Sequence, residues 1–124
     1  MAVEIERKFL VRNPPIEQWG AGKKIAQGYL SKGKGITVRV RIKGDQGFIT
    51  VKGKTTGFSR AEYEYEIPYS DAEELLKLCD GGVIIKTRWL VNWADHLWEV
   101  DVFEGENQGL VVAEIELTAE NEVF

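Results

Sequence analysis

Residues 36–54 read ITVRVRIKGDQGFITVKGK, two alternating segments around a glycine-bearing break. In the first, Arg39, Arg41 and Lys43 share one face and Val38, Val40 and Ile42 the other; in the second, Lys52 and Lys54 oppose Ile49 and Val51. A period of two marks a strand with two unlike faces, and KGDQG suits a hairpin turn. The result is an antiparallel pair whose polar face is basic.

The same period continues outward in both directions. VEIERKFLV (3–11), KIAQGYL (24–30), AEYEYEIP (61–68), VIIKTRWLVNW (83–93), LWEVDVF (97–103) and VVAEIELT (111–118) bring the strands to about eight. SKGKG, KTTGFS, NWADH and EGENQG separate them as turn-forming breaks, so the chain reads as an antiparallel meander. NPPIEQWG suggests a short helical turn capped by Asn13. SDAEELLKLCDGG predicts a helix capped by Ser70 or Asp71 and ended by Gly81 or Gly82.

Alternation alone fits a sheet whose charged face points to water. The distribution of sign is more informative. Glu4, Glu6 and Lys8 share one face of the first strand; Glu62, Glu64 and Glu66 share another; Lys86 and Arg88, Glu99 and Asp101, and Glu114 and Glu116 follow. Cations dominate some strands and carboxylates others. Eight strands are enough to close a barrel, with one inside and no free edge. The expected fold is therefore α+β and mainly β: one domain over residues 1–124, a closed eight-stranded antiparallel barrel with a charged lumen and one or two short helices outside. Burying so many unpaired charges costs several kcal/mol each, on the order given for single ions. Such a lumen must be wet, cross-paired or filled by a ligand of matching charge.

A polyphosphate needs both kinds of wall. Its oxygens suit Arg forks and Lys ammonium groups, and its metal suits carboxylate oxygens. Residues two apart on a strand stand roughly 7 Å apart on one face, which makes Glu4 with Glu6, and Glu114 with Glu116, candidate jaws for a divalent ion.

Composition narrows the partners. The chain has 124 residues, with 20 Asp plus Glu against 16 Lys plus Arg, so long nucleic acid is a poor partner. The single cysteine, Cys79, reads as a buried thiol that forms no internal disulfide, as in a reducing cytoplasm. No apolar signal region and no apolar run of membrane-spanning length occurs. The expectation is a soluble cytoplasmic protein.

With these residues in view, the chain resembles the CYTH-domain proteins of the triphosphate tunnel metalloenzyme family. The E-x-E-x-K motif appears as Glu4, Glu6 and Lys8, and VRVRIK, TVKG, SRAEYEYEI, IIKTRW, EVDVF and AEIEL match further segments. The resemblance implies a tunnel that binds a linear triphosphate with Lys and Arg and cleaves it with Mg2+ or Mn2+ held by Glu. By position it implies phosphate contacts from Lys8, Arg39, Arg41, Lys52, Lys86 and Arg88, with Arg60 as a further one. Metal would lie on Glu4, Glu6 and Glu116, and the catalytic group would be Glu4, Glu6, Lys8, Lys52 and Glu114. Glu62, Glu64 and Asp101 would complete the acidic lumen, with Tyr29 behind the contacting groups.

Inorganic triphosphate is the expected substrate. Thiamine triphosphate hydrolysis, nucleoside triphosphate hydrolysis or cyclisation, and polyphosphate binding without turnover are the alternatives. Family members usually continue into helical segments beyond the last strand, and this sequence stops at Phe124. A barrel with a charged inside turns Ile5, Phe9, Val40, Tyr65, Val100 and Ile115 outward, so an uncovered apolar patch and a two-fold homodimer are expected. His96 reads as a loop residue, and Trp89, Trp93 and Trp98 as outer packing.

Overall fold

The computed structural model describes residues 3–119 and 122–123. It is a closed eight-stranded antiparallel barrel. The strands are β1 (Val3–Leu10), β2 (Lys23–Ser31), β3 (Thr37–Lys43), β4 (Gln46–Lys52), β5 (Ser59–Ile67), β6 (Asp80–Trp93), β7 (His96–Phe103) and β8 (Val111–Glu116). One helix, α1 (Tyr69–Leu76), and two single 3-10 turns, Ile16–Gln18 and Gly105–Asn107, lie between them.

The order around the cylinder is β1-β5-β4-β3-β2-β6-β7-β8. Hairpins account for most neighbours, but β6 returns to lie beside β2, and β1 closes the cylinder between β5 and β8. The ladders differ in length. β6 and β7 share eight residue pairs, from Lys86 with Phe103 to Trp93 with His96, whereas β1 and β5 share three: Val3 with Ala61, Glu4 with Arg60, and Ile5 with Ser59.

Register puts the charged face inside. Directly paired residues lie on the same face of a sheet, and the pairs include Glu6 with Glu116, Lys8 with Glu114, Gln27 with Arg41, Lys52 with Glu62 and Arg88 with Asp101. Ile25, a partner of both Lys43 and Lys86, shares this face and is wholly buried.

The outside is covered in two places. α1 lies over β2, β3 and β4, burying Val40 completely and setting Ala72 against Gly47, where a Cβ would come within 2.7 Å of the alanine's. On the far side Trp19 and Trp98 pack on a core of Val100, Val111 and Ala113, and Ile115 is buried too. The expected bare exterior is therefore partial: Val40, Val100 and Ile115 are covered, while Phe9, Tyr65 and Trp93 stay exposed at 45%, 60% and 70%.

Several local expectations need correction. α1 begins at Tyr69, directly after extended Pro68, with no side-chain cap from Ser70 or Asp71. It ends before Lys77 rather than at Gly81 or Gly82, because pairing of Asp80 with Tyr29 draws that segment into β6. The first 3-10 turn follows Pro15 and has no side-chain cap, so Asn13 does not cap it. His96 opens β7, its Nε2 3.0 Å from Glu122. Cys79 is half-buried. No described helix is long and apolar enough to cross a membrane.

Candidate active site: a charged tunnel

The inward faces enclose a lumen of about 570 Å³. Glu4, Glu6, Lys8, Tyr29, Arg39, Arg41, Lys52, Arg60, Glu62, Glu64, Lys86, Arg88, Glu114 and Glu116, all singled out in the sequence, line it. A second cavity of about 480 Å³, lined in part by Lys23, Leu90 and Leu97, shares Lys43, Arg88, Glu99 and Glu116 with the first. The two cavities thus meet along one stretch of wall.

The acidic side divides in two. Glu4 on β1, Glu62 on β5 and Glu116 just across β1 on β8 bring carboxylate oxygens within 4.8 Å of one another. Lys52 stands among them, with Nζ 2.9 and 3.0 Å from the two Glu4 oxygens and 3.3 Å from Glu62. Burial alone would raise the Glu4 pKa, but the Lys52 hydrogen bond and charge outweigh it and the net shift is downward. Glu62 and Glu116 move upward, mainly through burial and then through neighbouring carboxylates. Glu6 belongs to the other group. Burial and the adjoining Glu114 push it up to about 7, and Lys8 reaches both, at 3.3 Å from Glu6 and 4.0 Å from Glu114.

The basic side also divides. On β6, Lys86 Nζ lies 2.6 Å from Asp101, and Arg88 donates to Asp101 from Nε and Nη2 at 2.7 and 2.8 Å and to Glu99 from Nη1 at 2.9 Å. Asp101 is 1% exposed, sunk beneath its two cations. On β3 the arginines are held differently. Arg39 Nη2 is 3.9 Å from Glu64 and donates to Thr50 Oγ1 at 3.5 Å, while its Nε is buried without a hydrogen-bond partner among the described residues. Arg41 donates from Nε to Gln27 Oε1 at 2.9 Å. Arg60 is fixed by Gly53 O at 3.1 Å and Thr37 Oγ1 at 3.4 Å.

The Glu4, Glu62 and Glu116 group fits a hard divalent cation. Its donors are all oxygen and lie within 4.8 Å of one another, and the ligands of an octahedral magnesium-sized ion stand roughly 3.0 to 4.2 Å apart. The cation-occupied centre, with Lys52 between two of the carboxylates, supports the same reading. Residues 2–124, nearly the whole chain, match the CYTH domain model. The chain belongs to the CYTH family.

Two curated relatives are named inorganic triphosphatase. One, from Acetivibrio thermocellus, is 50% identical over 125 residues, covering 100% of this chain and 80% of the relative. The other, from Nitrosomonas europaea, is 38% identical over 120 residues, covering 95% of this chain and 78% of the relative. A crystal structure of an inorganic triphosphatase superposes with a TM-score of 0.66 at 34% identity, over 98% of this chain and 77% of that one.

Of the carboxylates expected to hold metal, Glu4 and Glu116 cluster with Glu62, and Glu6 pairs with Glu116 across the ladder and lies beside Glu114. Tyr29 does turn into the lumen, with Lys32 Nζ 4.7 Å from its ring centre. Lys54 follows the end of β4 and is exposed. Sequence reading passed over Gln27, Lys32 and Thr37, which line the lumen, and Thr50, whose hydroxyl donates to Glu64 at 2.8 Å. Thr37 and Thr50 were detectable, since each shares a face with the charged residues already singled out.

Proposed function

We propose that this CYTH protein hydrolyses inorganic triphosphate in its tunnel with Mg2+ or Mn2+. The observation that carries the reading is the facing of a three-carboxylate cluster and two arginines of β3 across one lumen. The activity in its relatives' names supports the choice of substrate.

In this reading Arg39 and Arg41 bind the phosphate oxygens as forks, Lys8 and Arg60 add positive charge along the wall, and Lys86 and Arg88, already matched by Asp101 and Glu99, contact the phosphate chain from a wall of no net charge. Lys52, released from Glu4 and Glu62, turns its ammonium to the substrate. Glu4, Glu62 and Glu116 hold the cation, with Glu6 and Glu114 alongside. Bound there, a divalent ion neutralises charge on phosphoryl oxygens and helps deliver a water nucleophile. Water oxygen bonds to a terminal phosphorus, the anhydride P–O bond breaks, and orthophosphate and pyrophosphate leave.

Inorganic triphosphate, the substrate in the names of both relatives, comes before thiamine or nucleoside esters. A homodimer closed over the apolar groove of Phe9, Trp19, Trp93 and Trp98, and residence in the cytoplasm, complete the reading. The test is phosphate release from inorganic triphosphate, pyrophosphate, ATP and thiamine triphosphate, each with magnesium, manganese or chelator. Fast, metal-dependent release from the first is expected. No release from it with either metal would overturn the reading, and binding without release would mark a polyphosphate-binding module. Light scattering tests the dimer, which a monomer at high micromolar concentration would exclude.

A further inference from the structure

The lumen cations differ in what holds them. Lys8, Lys52, Lys86 and Arg88 each lie within 3.3 Å of a carboxylate oxygen. Arg41 is as deeply buried as Arg88, at 8% and 9% exposure, yet no carboxylate among the described residues forms an ion pair with it. Its nearest strong influences after burial are the like charges of Arg39 and Arg88. An unpaired buried cation among cations is costly to hold, and a flexible side chain in that position tends to swing away.

One contact opposes this. Gln27, directly opposite Arg41 in the β2–β3 ladder and 6% exposed, accepts a hydrogen bond from Arg41 Nε at 2.9 Å. A bond to Nε fixes the plane of the guanidinium while leaving the two terminal nitrogens for another partner. The amide carries no net charge, so the cation keeps its full attraction for an anion. A carboxylate in the same place would hold the arginine better and leave less for the ligand.

We infer that Gln27 is a positioning residue for phosphate recognition, aiming Arg41 into the lumen, and that its neutrality is what keeps Arg41 available to the triphosphate. The inference rests on the triphosphatase reading and deepens it. Thr50 stands in a similar relation to Arg39, as a neutral acceptor on the adjacent strand, although Arg39 also has Glu64 at 3.9 Å.

Two near-isosteric substitutions separate tether from charge. Gln27→Glu keeps the acceptor and adds a negative charge; Gln27→Met keeps the bulk and removes the acceptor. In steady-state assays with inorganic triphosphate and magnesium, Gln27→Glu is expected to raise KM about tenfold or more, with a smaller change in kcat, and to raise the melting temperature of the ligand-free protein. Gln27→Met is expected to raise KM less and to lower the melting temperature. Calorimetric titration with inorganic triphosphate in chelator gives the same comparison without turnover.

A purely structural role for Gln27 predicts wild-type KM and affinity for Gln27→Glu, since shape and hydrogen bond are retained, and that result would overturn the inference while leaving the triphosphatase reading intact. If the unsubstituted protein neither hydrolyses nor binds inorganic triphosphate, both fall together.

Discussion

Arg88 on β6 and Arg41 on β3 are buried to the same degree in one lumen, and their surroundings treat them in opposite ways. Arg88 makes three hydrogen bonds to two carboxylates, which more than offset its burial and raise its pKa; Arg41 makes one to an amide, and burial with like-charged neighbours lowers its pKa to about 10. Both remain charged at neutral pH. The β6–β7 wall is neutralised within the protein, so its charges hold the cylinder together. The β3 wall is left positive, so its charges are free to attract an anion. Two residues of one type on one surface thus differ in how much charge they leave uncompensated, and counter-charge rather than burial separates them.

The largest expected effect falls on the neutralised wall. Asp101→Asn strands Lys86 and Arg88 without their shared partner and is expected to cost about 3–5 kcal/mol of folding stability. Denaturant unfolding measures it, and a loss under about 1 kcal/mol would erase the contrast between the walls.

On the β3 wall the sign of the trade reverses. Arg41→Met removes a repelled cation, so stability is expected to stay within about 1 kcal/mol of the parent, one lost hydrogen bond being of that order. Affinity for inorganic triphosphate is expected to fall tenfold or more, about 1.4 kcal/mol. A variant that unfolds easily and binds normally would reverse the assignment of the two walls.

A third test turns on Glu6, whose folded pKa of about 7 lies above its ordinary 4.5. The folded protein then holds a proton that the unfolded chain has released, so ligand-free stability falls as pH rises from about 4.5 through 7. The expected loss is on the order of 3 kcal/mol. Glu6→Gln flattens this slope, and a divalent cation lessens it by supplying counter-charge. An unchanged slope in Glu6→Gln would place the titration elsewhere.

The smallest effect concerns an ion pair at the surface. Burial hardly affects the Glu122 carboxyl, which the Thr118 amide and hydroxyl and then His96 hold down to about 2, while Glu122 and the Ala94 carbonyl raise His96 above 6.5. The carboxylate's contribution is present above about 4.5 and fades as pH falls toward 2. The imidazolium's is present below 6.5 and is lost as pH climbs through its raised value. His96→Ala should therefore lower the melting temperature slightly between pH 5 and 6 and not at pH 9. An equal drop at both would mean that packing, not charge, is lost.

The barrel was legible because both faces of nearly every strand differ in polarity, and sign sorting pointed to a lumen rather than to a wetted sheet. VRVRIK and EVDVF are clear cases. The carboxylate cluster was less so. E-x-E marks Glu4 and Glu6 on one strand, whereas the cluster takes one carboxylate from each of three strands, a neighbourhood set by the return of β1 to both β5 and β8. Gln27 was missed for a related reason: its inward neighbours along β2 are Ile25 and Tyr29, and the charge on that face, Lys23, stands four residues away beside Arg88. The helix boundaries were lost to Pro68 and to the pairing of Asp80, tertiary choices that capping preferences do not record.

The three-pair ladder between β1 and β5 has a consequence for how the molecule breathes. It is the shortest closure in the cylinder, and Glu4, Glu62, Glu116 and Lys52 reach across it from four strands. The groups that would grip a cation and a phosphate chain therefore also fasten the seam. Among the strand amides, those of residues 3–5 and 59–61 should exchange fastest in the empty protein, at a rate set by transient unzipping rather than by global unfolding. Loading the lumen should slow that exchange while leaving the long β6–β7 ladder unaffected, so that the occupancy of the tunnel can be read from the opening rate of its wall.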